Sequence, residues 1–243
     1  MNYSKLKIPN HIAFIVDGNG RWGKAKGLSR SGGHEAGFKN LMKVLSYSYS
    51  KGIKYFSAYL FSTENFKRSK VEVSFLMNLL TGKLKEILKF CHDEKIKVIF
   101  SGRRDRLSLN VVSAMEEIEE ETHQYKDRIF NICFNYGGRA EIIDAALDIA
   151  EEIKKGELLP AMVDEDVFSQ HLYQQLPDVD LMIRTSGEMR LSNFMLWQCS
   201  YAEFYFPKVL FPDFDEKEFD KAILEYTKRD RRFGGIDYED KSN

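Results

Sequence analysis

The first of three loops whose side chains suit a chemical role runs from Asp17 to Gly23 and reads Asp-Gly-Asn-Gly-Arg-Trp-Gly. It contains G-x-G-x-x-G, the spacing of a dinucleotide-binding loop. Asp17 argues against that interpretation, because it puts a carboxylate where a pyrophosphate would lie, and two anions repel in a cleft unless a cation separates them. The segment also lacks an acidic residue about 20 positions on that would hold a ribose.

The same features suit a magnesium–diphosphate site. Mg²⁺ takes one or two carboxylates together with phosphate oxygens, and Asp17 offers such a carboxylate. The glycines let backbone N–H groups approach an anion, and Arg21 adds positive charge. Arg30 is a further cation downstream, and His34 either binds phosphate or caps a helix. The alternative for this loop is a plain strand-to-helix turn capped by Asp17.

The second loop spans Phe61–Arg68 and mixes polar with aromatic side chains. Its members are Phe61, Ser62, Thr63, Glu64, Asn65, Phe66, Lys67 and Arg68. This mixture suits a ligand that is charged at one end and apolar at the other. The alternative is a polar turn beside two phenylalanines that pack in the core.

The third loop spans Arg184–Ser192 and carries two arginines, Arg184 and Arg190, with hydroxyls and a glycine between them. Because arginine makes bidentate contacts to phosphate, the loop predicts a second diphosphate clamp. Glu203 follows this loop as a lone carboxylate, which by itself is more typical of a structural role.

The composition, 43% hydrophobic and 30% charged residues in a chain of 243, is typical of a globular protein. A net charge of -1 gives no indication of nucleic-acid binding. Cys91, Cys133 and Cys199 lack disulfide or metal-ligand spacing, so we expect reduced core residues. No signal peptide opens the sequence and no apolar run reaches the about 18 residues of a membrane span, so we expect a cytoplasmic protein.

Short apolar segments alternate with longer helical patterns. The predicted strands are His11–Asp17, Lys54–Ser62, Lys97–Ser101, Ile129–Asn135, Asp180–Thr185 and Glu203–Phe206. The predicted helices are Gly33–Lys51, Val71–Lys95 with a weak point at Gly82, Ser108–Tyr125, Gly138–Lys155, Asp164–Gln175 and Asp215–Arg229. The alternation predicts an α/β fold, an open and mostly parallel six-stranded sheet flanked by helices, in one domain over residues 1–243. In such sheets ligands bind beyond the carboxyl ends of the strands, where the three loops fall.

The blocks around these loops resemble the motifs of the cis-prenyltransferase family. They are His11–Trp22, Phe61–Arg68, Asn135–Arg139, Asp180–Glu188, Arg190–Gln198 and Arg231–Gly235, in the family's order. The resemblance implies a Mg²⁺-dependent transferase that condenses isopentenyl diphosphate with an allylic diphosphate, for which we expect farnesyl diphosphate. It also implies a cis polyprenyl product, expected to be the undecaprenyl carrier-lipid precursor, and a homodimer with a hydrophobic tunnel. Because a long product of this kind is insoluble in water, we expect transient contact with a membrane surface.

Residue roles follow from the same resemblance. Asp17 would hold Mg²⁺ and assist departure of the allylic diphosphate, Glu203 would complete the metal site, and Asn65 would serve in removing a proton. The residues expected to bind the allylic diphosphate are Gly18, Asn19, Gly20, Arg21, Arg30 and His34. Those expected to hold isopentenyl diphosphate are Arg184, Arg190 and Ser192, and the wider substrate-binding set adds Trp22, Ser62, Thr63, Glu64, Phe66, Arg68 and Leu191. Arg232–Gly234 would reach a site across the dimer interface.

Three positions depart from the family pattern. Phe66 stands where bacterial members usually have tryptophan, Val16 stands where methionine is common, and Arg103 stands where an aspartate is frequent. The first two leave product length and starter open, whereas Arg103 concerns a structural turn. The apolar stripe of Val71–Lys95 either lines the tunnel or packs on the sheet.

Three alternatives accompany the long-chain synthase. The first is a short-chain cis synthase, with Phe75 or Phe90 as candidates to plug the tunnel. The second, a non-catalytic partner subunit, is disfavoured by the presence of Asp17 and Asn65. The third, a dinucleotide-binding oxidoreductase, is disfavoured by the failed fingerprint.

Overall fold

The computed structural model describes residues 6–229, which form a six-stranded sheet flanked by helices. The strands are β1 His11–Ile15, β2 Tyr55–Ser62, β3 Ile96–Ser101, β4 Arg128–Tyr136, β5 Leu181–Arg184 and β6 Glu203–Tyr205. They lie in the order β3-β4-β2-β1-β5-β6, and every neighbouring pair is parallel. The predicted fold class is confirmed, and each predicted strand is present.

The helices agree less closely with the sequence pattern. They are α1 Asn19–Ala25, α2 Arg30–Ser50, α3 Lys70–Gly82, α4 Leu84–Glu94, α5 Leu109–Thr122, α6 Gly138–Lys155, α7 Glu165–Gln170 and α8 Glu216–Thr227. The segment predicted as one helix over Val71–Lys95 is two helices that part at Gly82, the residue expected to be its weak point. Helix α1 was not predicted, because its seven residues are too few to show a helical period.

Alternate residues of the central strands pack on opposite faces of the sheet. In β1, Ile12 and Phe14 belong to the larger core cluster, whereas Ala13 and Ile15 face the smaller one. Because helices cover both faces, these strands are apolar without alternation, as parallel sheets require. No helix within residues 6–229 combines the length and the apolarity needed to cross a membrane.

A chain of buried polar side chains, here called the cross-sheet chain, crosses four strands. Ser101 donates to Asn131 Oδ1 at 2.7 Å, and Asn131 Nδ2 donates to Ser57 Oγ at 3.0 Å. The Ser57 hydroxyl lies 2.8 Å from Nε2 of His11, whose Nδ1 lies 2.7 Å from the Pro177 carbonyl. The hydroxyl therefore donates to Nε2 and Nδ1–H donates to the carbonyl, so each member of the chain has a partner.

Strand register brings the three predicted loops together. Ile15, the last residue of β1, lies beside Tyr59 of β2 and beside Arg184 of β5. Because the strands are parallel, the residues that follow β1, β2 and β5 emerge at the same carboxyl edge. The parallel register of β1, β2 and β5 thus brings together the three loops that the sequence predicts to share one site.

Candidate active site

A cavity of about 700 Å³ opens at the carboxyl edge of the sheet. Most of the predicted site residues line it: Asp17, Gly18, Asn19, Gly20, Arg21, Arg30, His34, Ser62, Glu64, Asn65, Arg68, Arg184 and Ser192. Ile15, Val16, Tyr59, Leu60 and Asn193 complete the wall and were not predicted. The cavity is therefore the meeting point of all three loops.

Asp17 lies between two arginines. Arg184 Nη2 donates to its Oδ2 at 3.0 Å, and Arg21 Nη2 lies 3.5 Å from its Oδ1. Burial acts to raise the pKa of Asp17, but the hydrogen bond and charge of Arg184, with help from Arg21, hold that pKa below its usual value. The half-buried carboxylate is consequently ionised at neutral pH and faces the cavity.

Arg184 organises the third loop as well as pairing with Asp17. Its side chain is buried, and Nη1 donates to the Arg190 carbonyl at 2.6 Å and to Ser192 Oγ at 2.7 Å. Its Nε has no hydrogen-bond partner within the described residues. Much of this guanidinium is thus committed to the protein, whereas Nε is a buried donor still without a partner.

Two glycines, Gly18 of the first loop and Gly37 of α2, allow close packing around α1. Gly18 has a φ of 104°, and a Cβ there would meet the Leu210 side chain at 2.8 Å. Asn19 packs on α2 so closely that a Cβ on Gly37 would lie 2.2 Å from its Oδ1. Asn19 Nδ2 donates to the Val16 carbonyl, while its buried Oδ1 lacks a hydrogen-bond donor among the described residues.

Glu72 on α3 gathers the basic groups at the other side of the cavity and was missed by the sequence reasoning. Arg30 reaches it with two N–H groups at 3.2 Å, and Arg68 donates to it at 2.9 Å. His34 Nε2 lies 3.5 Å from the same carboxylate. The only available signal was the spacing of Arg68 and Glu72 by four residues, one helical turn.

His34 is held mainly in its neutral form. Burial lowers the pKa of His34, Glu72 acts to raise it, and the charges of Arg68 and Arg30 lower it further. At neutral pH the imidazole can therefore donate one N–H to a phosphate oxygen without adding charge.

The second loop becomes a short 3₁₀ turn, Thr63–Lys67, capped from both sides. Asn65 Oδ1 accepts the backbone N–H of Ser62 at 3.1 Å, and the Ser62 side chain accepts the N–H of Asn65 in return. The amide oxygen of Asn65 thereby already accepts one hydrogen bond, and the NH₂ group is the part of the side chain that can donate to a ligand.

Several predicted residues lie outside the cavity wall. Trp22 donates to Asp213 at 2.7 Å, and Phe66 packs edge-on against Phe61 with the Arg106 guanidinium 3.9 Å from its ring centre. Arg190 is exposed and pairs with Glu188 at 2.6 Å. Two further predicted residues, Thr63 and Leu191, are also absent from the wall, and Leu191 packs against the smaller core cluster.

Glu203 is far from Asp17 within one chain, so the predicted pairing of these two carboxylates on a metal is not formed there. In β6 it lies beside Leu181, the first residue of β5, whereas Asp17 follows the last residue of β1. Glu203 pairs instead with Arg229 at 2.8 Å. No group of three or more His, Cys, Asp or Glu side chains suited to a metal occurs in residues 6–229. The predicted Arg232–Gly234 motif lies outside the described residues.

A narrow apolar pocket of about 80 Å³ adjoins the polar cavity. The two share Val16, Asn19, His34 and Leu60 in their walls. From the predicted stripe on Val71–Lys95, Leu76, Leu80 and Ile87 line this pocket, and Leu79 joins them. Neither Phe75 nor Phe90 is part of the wall, so neither plugs the pocket.

The chain resembles proteins that handle isoprenyl diphosphates. A family model described as "Putative undecaprenyl diphosphate synthase" matches residues 15–234. An isoprenyl transferase of Fusobacterium nucleatum is 49% identical over 229 residues, covering 94% of this chain and 97% of that protein. A trans,polycis-polyprenyl diphosphate synthase of Thermobifida fusca, named as specific for (2Z,6E)-farnesyl diphosphate, is 46% identical and covers 95% of this chain and 82% of its own length. Among solved structures, lavandulyl diphosphate synthase from Lavandula x intermedia, in complex with dimethylallyl diphosphate, matches with a TM-score of 0.89 at 38% identity, covering 93% of this chain and 98% of that one.

Proposed function

This chain belongs to the undecaprenyl diphosphate synthase family of cis-prenyltransferases, and on that premise we propose that it condenses isopentenyl diphosphate with an allylic diphosphate in cis configuration. The observation that carries the proposal is the junction of the two cavities. A polar space with Asp17 at its edge shares four wall residues with an apolar pocket. Such a junction fits a molecule with a diphosphate at one end and a hydrocarbon chain at the other.

We propose two diphosphate positions in the polar cavity. The first-loop residues with Arg30 and His34 suit the allylic diphosphate, whose chain then enters the adjoining pocket past His34. The Arg184 Nε and the Ser192 side of the cavity suit isopentenyl diphosphate. Holding both substrates in this way aligns the allylic carbon with the isopentenyl double bond and excludes water from the reacting centre.

The donor set at Asp17 fits a magnesium ion that arrives with a diphosphate. Asp17 offers one ionised, half-buried carboxylate, and Mg²⁺ prefers one or two carboxylates plus phosphate oxygens to a cage made wholly of protein. When bound, the ion neutralises the charge that grows on the departing diphosphate. Arg21 and Arg184 add fixed positive charge at the same place.

We propose that proton removal falls to a group other than the Asn65 oxygen, because an amide oxygen is a poor base. That oxygen already accepts the Ser62 N–H, so the Asn65 side chain is placed to donate its NH₂ to a phosphate oxygen. We propose that a phosphate oxygen or a water takes the proton from isopentenyl diphosphate once the new C–C bond has formed. Asn65 then orients the diphosphate that serves as the base.

Farnesyl diphosphate is the proposed starter and an undecaprenyl-length chain the proposed product. Apolar side chains of α2, α3 and α4 line the pocket, and the bulky Phe75 and Phe90 stand clear of it. A short-chain cis synthase is the second candidate, because the Lavandula enzyme with the same fold is named for a short product.

The proposed assembly is a homodimer of one domain per chain. Glu203 lies too far from Asp17 to act with it in one protomer, so any metal role would require a second copy. Because a long polyprenyl product is insoluble in water, we propose a cytoplasmic protein that touches the membrane surface on product release. Sedimentation with liposomes would test this; tight binding without product would contradict it.

The deciding experiment incubates the purified chain with farnesyl diphosphate, labelled isopentenyl diphosphate and Mg²⁺, then separates the dephosphorylated products by thin-layer chromatography. A ladder that ends near C55 supports the long-chain synthase, whereas a stop at C20 from farnesyl diphosphate, or at C15 from geranyl diphosphate, indicates the short-chain enzyme. An Asp17→Ala variant and a chelator control should both abolish transfer. Absence of transfer with farnesyl, geranyl and dimethylallyl starters alike would refute the proposal in favour of a partner subunit.

A further inference from the structure

Asn193 stands where three loops meet and is not among the residues predicted from the sequence. Its backbone carbonyl accepts the N–H of Gly138 at 2.7 Å, and its Oδ1 accepts the N–H of Arg139 at 2.8 Å. These are the first two residues of α6, and Gly137 before them supplies no side-chain cap. Asn193 therefore caps α6 from a distant part of the chain.

The other end of the same amide holds Glu64. Asn193 Nδ2 donates to Glu64 Oε1 at 2.9 Å, across the cavity wall that both residues share. Burial acts to raise the pKa of Glu64, but a backbone N–H, the Asn193 amide and the Ser62 and Thr63 hydroxyls together lower it. Glu64 is thus an ionised acceptor at neutral pH.

The backbone around Asn193 is shaped to allow this double contact. Asn193 has a φ of 65° and its neighbour Ser192 a φ of 49°, in the left-handed region that asparagine tolerates better than most residues. A Cβ on Gly137 would lie 2.8 Å from Asn193 Nδ2 and 2.8 Å from Thr63 Oγ1. Only glycine at position 137 leaves room for the amide between the two loops.

Asparagine is also the side chain whose polarity fits both neighbours. One end must accept from an N–H and the other must donate to a carboxylate, and the amide does both. An aspartate would set two carboxylates against each other, and an alanine would leave the Arg139 N–H without its acceptor and remove one of the donors to Glu64.

We propose that Asn193 is a positioning residue for the isopentenyl transfer reaction, an inference that rests on the proposed function. By fixing Glu64 it holds the turn that carries Ser62 and Asn65 against the loop that carries Ser192. It acts through these residues and needs no contact with substrate. It thereby sets the distance between Asn65, which orients the diphosphate that accepts the proton, and the third loop, which Arg184 holds.

A polarity swap tests this role. In Asn193→Asp the new carboxylate faces Glu64, so this variant should lose about 10–100-fold in kcat, whereas Glu64→Gln still offers an amide oxygen to the Asn193 NH₂ and should lose less. The double variant Glu64→Gln/Asn193→Asp restores one donor and one acceptor, and should recover kcat to within about fivefold of wild type. Asn193→Asp alone should regain activity as the pH falls, because protonating one carboxylate of the pair remakes the bond.

The outcomes separate the positioning role from its alternatives. Asn110→Asp, the same change on the exposed start of α5, serves as the matched control and should transfer like wild type. A mere helix cap would lower the free energy of unfolding while leaving kcat intact, and that result would overturn the proposal. A double variant with a kcat no higher than that of the slower single variant would also overturn the proposal. A wild-type chain without transfer refutes the proposed function instead.

Discussion

The sheet carries two polar networks that differ in how their hydrogen bonds are completed. In the cross-sheet chain, neutral side chains of β1, β2, β3 and β4 satisfy one another in the protein interior. At the carboxyl edge, Asp17, Arg21 and Arg184 are charged, and the buried Asn19 Oδ1 and Arg184 Nε lack partners among residues 6–229. Buried polar groups are normally satisfied, so unsatisfied ones beside a cavity indicate atoms kept for a ligand.

We propose that this contrast separates the residues that stabilise the chain from those that act on substrate. A complete neutral network has nothing to offer a ligand, but breaking it leaves partners stranded in the core. A charged network at a cavity wall costs stability and supplies electrostatic stabilisation to a reacting molecule. Substitutions in the two regions should therefore affect different measured quantities.

The largest expected effect is on catalysis at Asp17. Asp17→Asn keeps an acceptor for Arg184 but removes the charge that we propose binds Mg²⁺, so the rate of isopentenyl transfer should fall by about 10²–10³. The free energy of unfolding should fall by no more than about 2 kcal/mol, because the side chain is only half-buried. Steady-state transfer and urea unfolding measure the two quantities. Retained activity would place the metal-binding carboxylate elsewhere.

The next effect is on stability at Asn131. Asn131→Ala leaves the buried Ser101 hydroxyl without an acceptor and removes one donor to Ser57, so the free energy of unfolding should fall by about 3 kcal/mol. The transfer rate per folded molecule should stay within about twofold of wild type, because the chain does not reach the cavity. Asn110→Ala, at an exposed position, is the control. A large loss of rate in folded Asn131→Ala would mean that the two networks are coupled.

His11 should make the interior network sensitive to acid. Complete burial lowers the pKa of His11 to about 4, whereas the unfolded chain takes up a proton near 6.5. The unfolded state therefore binds more protons as the pH falls, and stability should drop by about 2 kcal/mol between pH 7 and pH 5. Urea unfolding of wild type and of His11→Gln at several pH values measures how the free energy of unfolding depends on pH. If the free energy of unfolding fell equally steeply with pH in both proteins, groups other than His11 would cause the loss of stability.

A smaller effect is expected at Arg68 on the cavity rim. Arg68→Lys loses the planar guanidinium that donates to Glu72 and that we propose contacts a substrate phosphate, so the KM for a diphosphate substrate should rise about tenfold with little change in stability. Arg106→Lys is the matched control, since Arg106 stacks on Phe66 outside the cavity. An equal rise in KM for the two variants would argue against a site-specific role for Arg68.

The strands could be predicted from the sequence because parallel strands carry a strong apolar signal. The meeting of the loops after β1, β2 and β5 could be predicted because parallel strands end at the same edge of the sheet. The sequence predicted Gly82 as a break for a similar reason, since a glycine weakens a helix locally. It missed α1, whose formation depends on packing against α2 through Gly37. That contact joins parts of the chain with no common sequence pattern.

For the site, residue types indicated the loops but not the direction of each side chain. Phe66 and Arg190 lie in the predicted loops yet contact Arg106 and Glu188 instead of the cavity. Glu72 and Asn193 were missed because their importance comes from partners far away in the sequence. Glu203 was paired with Asp17 by resemblance, and the register of β6 sets them apart.

The most direct test of the account is calorimetric titration of inorganic diphosphate into wild type, Asp17→Asn and Asn131→Ala, with and without Mg²⁺. If Asp17 holds a cation that diphosphate shares, Asp17→Asn should bind at least about tenfold more weakly with Mg²⁺, and more tightly than wild type under chelation, where the carboxylate only repels. Asn131→Ala should match wild type in both conditions. Equal affinities of Asp17→Asn and wild type with Mg²⁺ present, or loss of binding in folded Asn131→Ala, would contradict the division between the two networks.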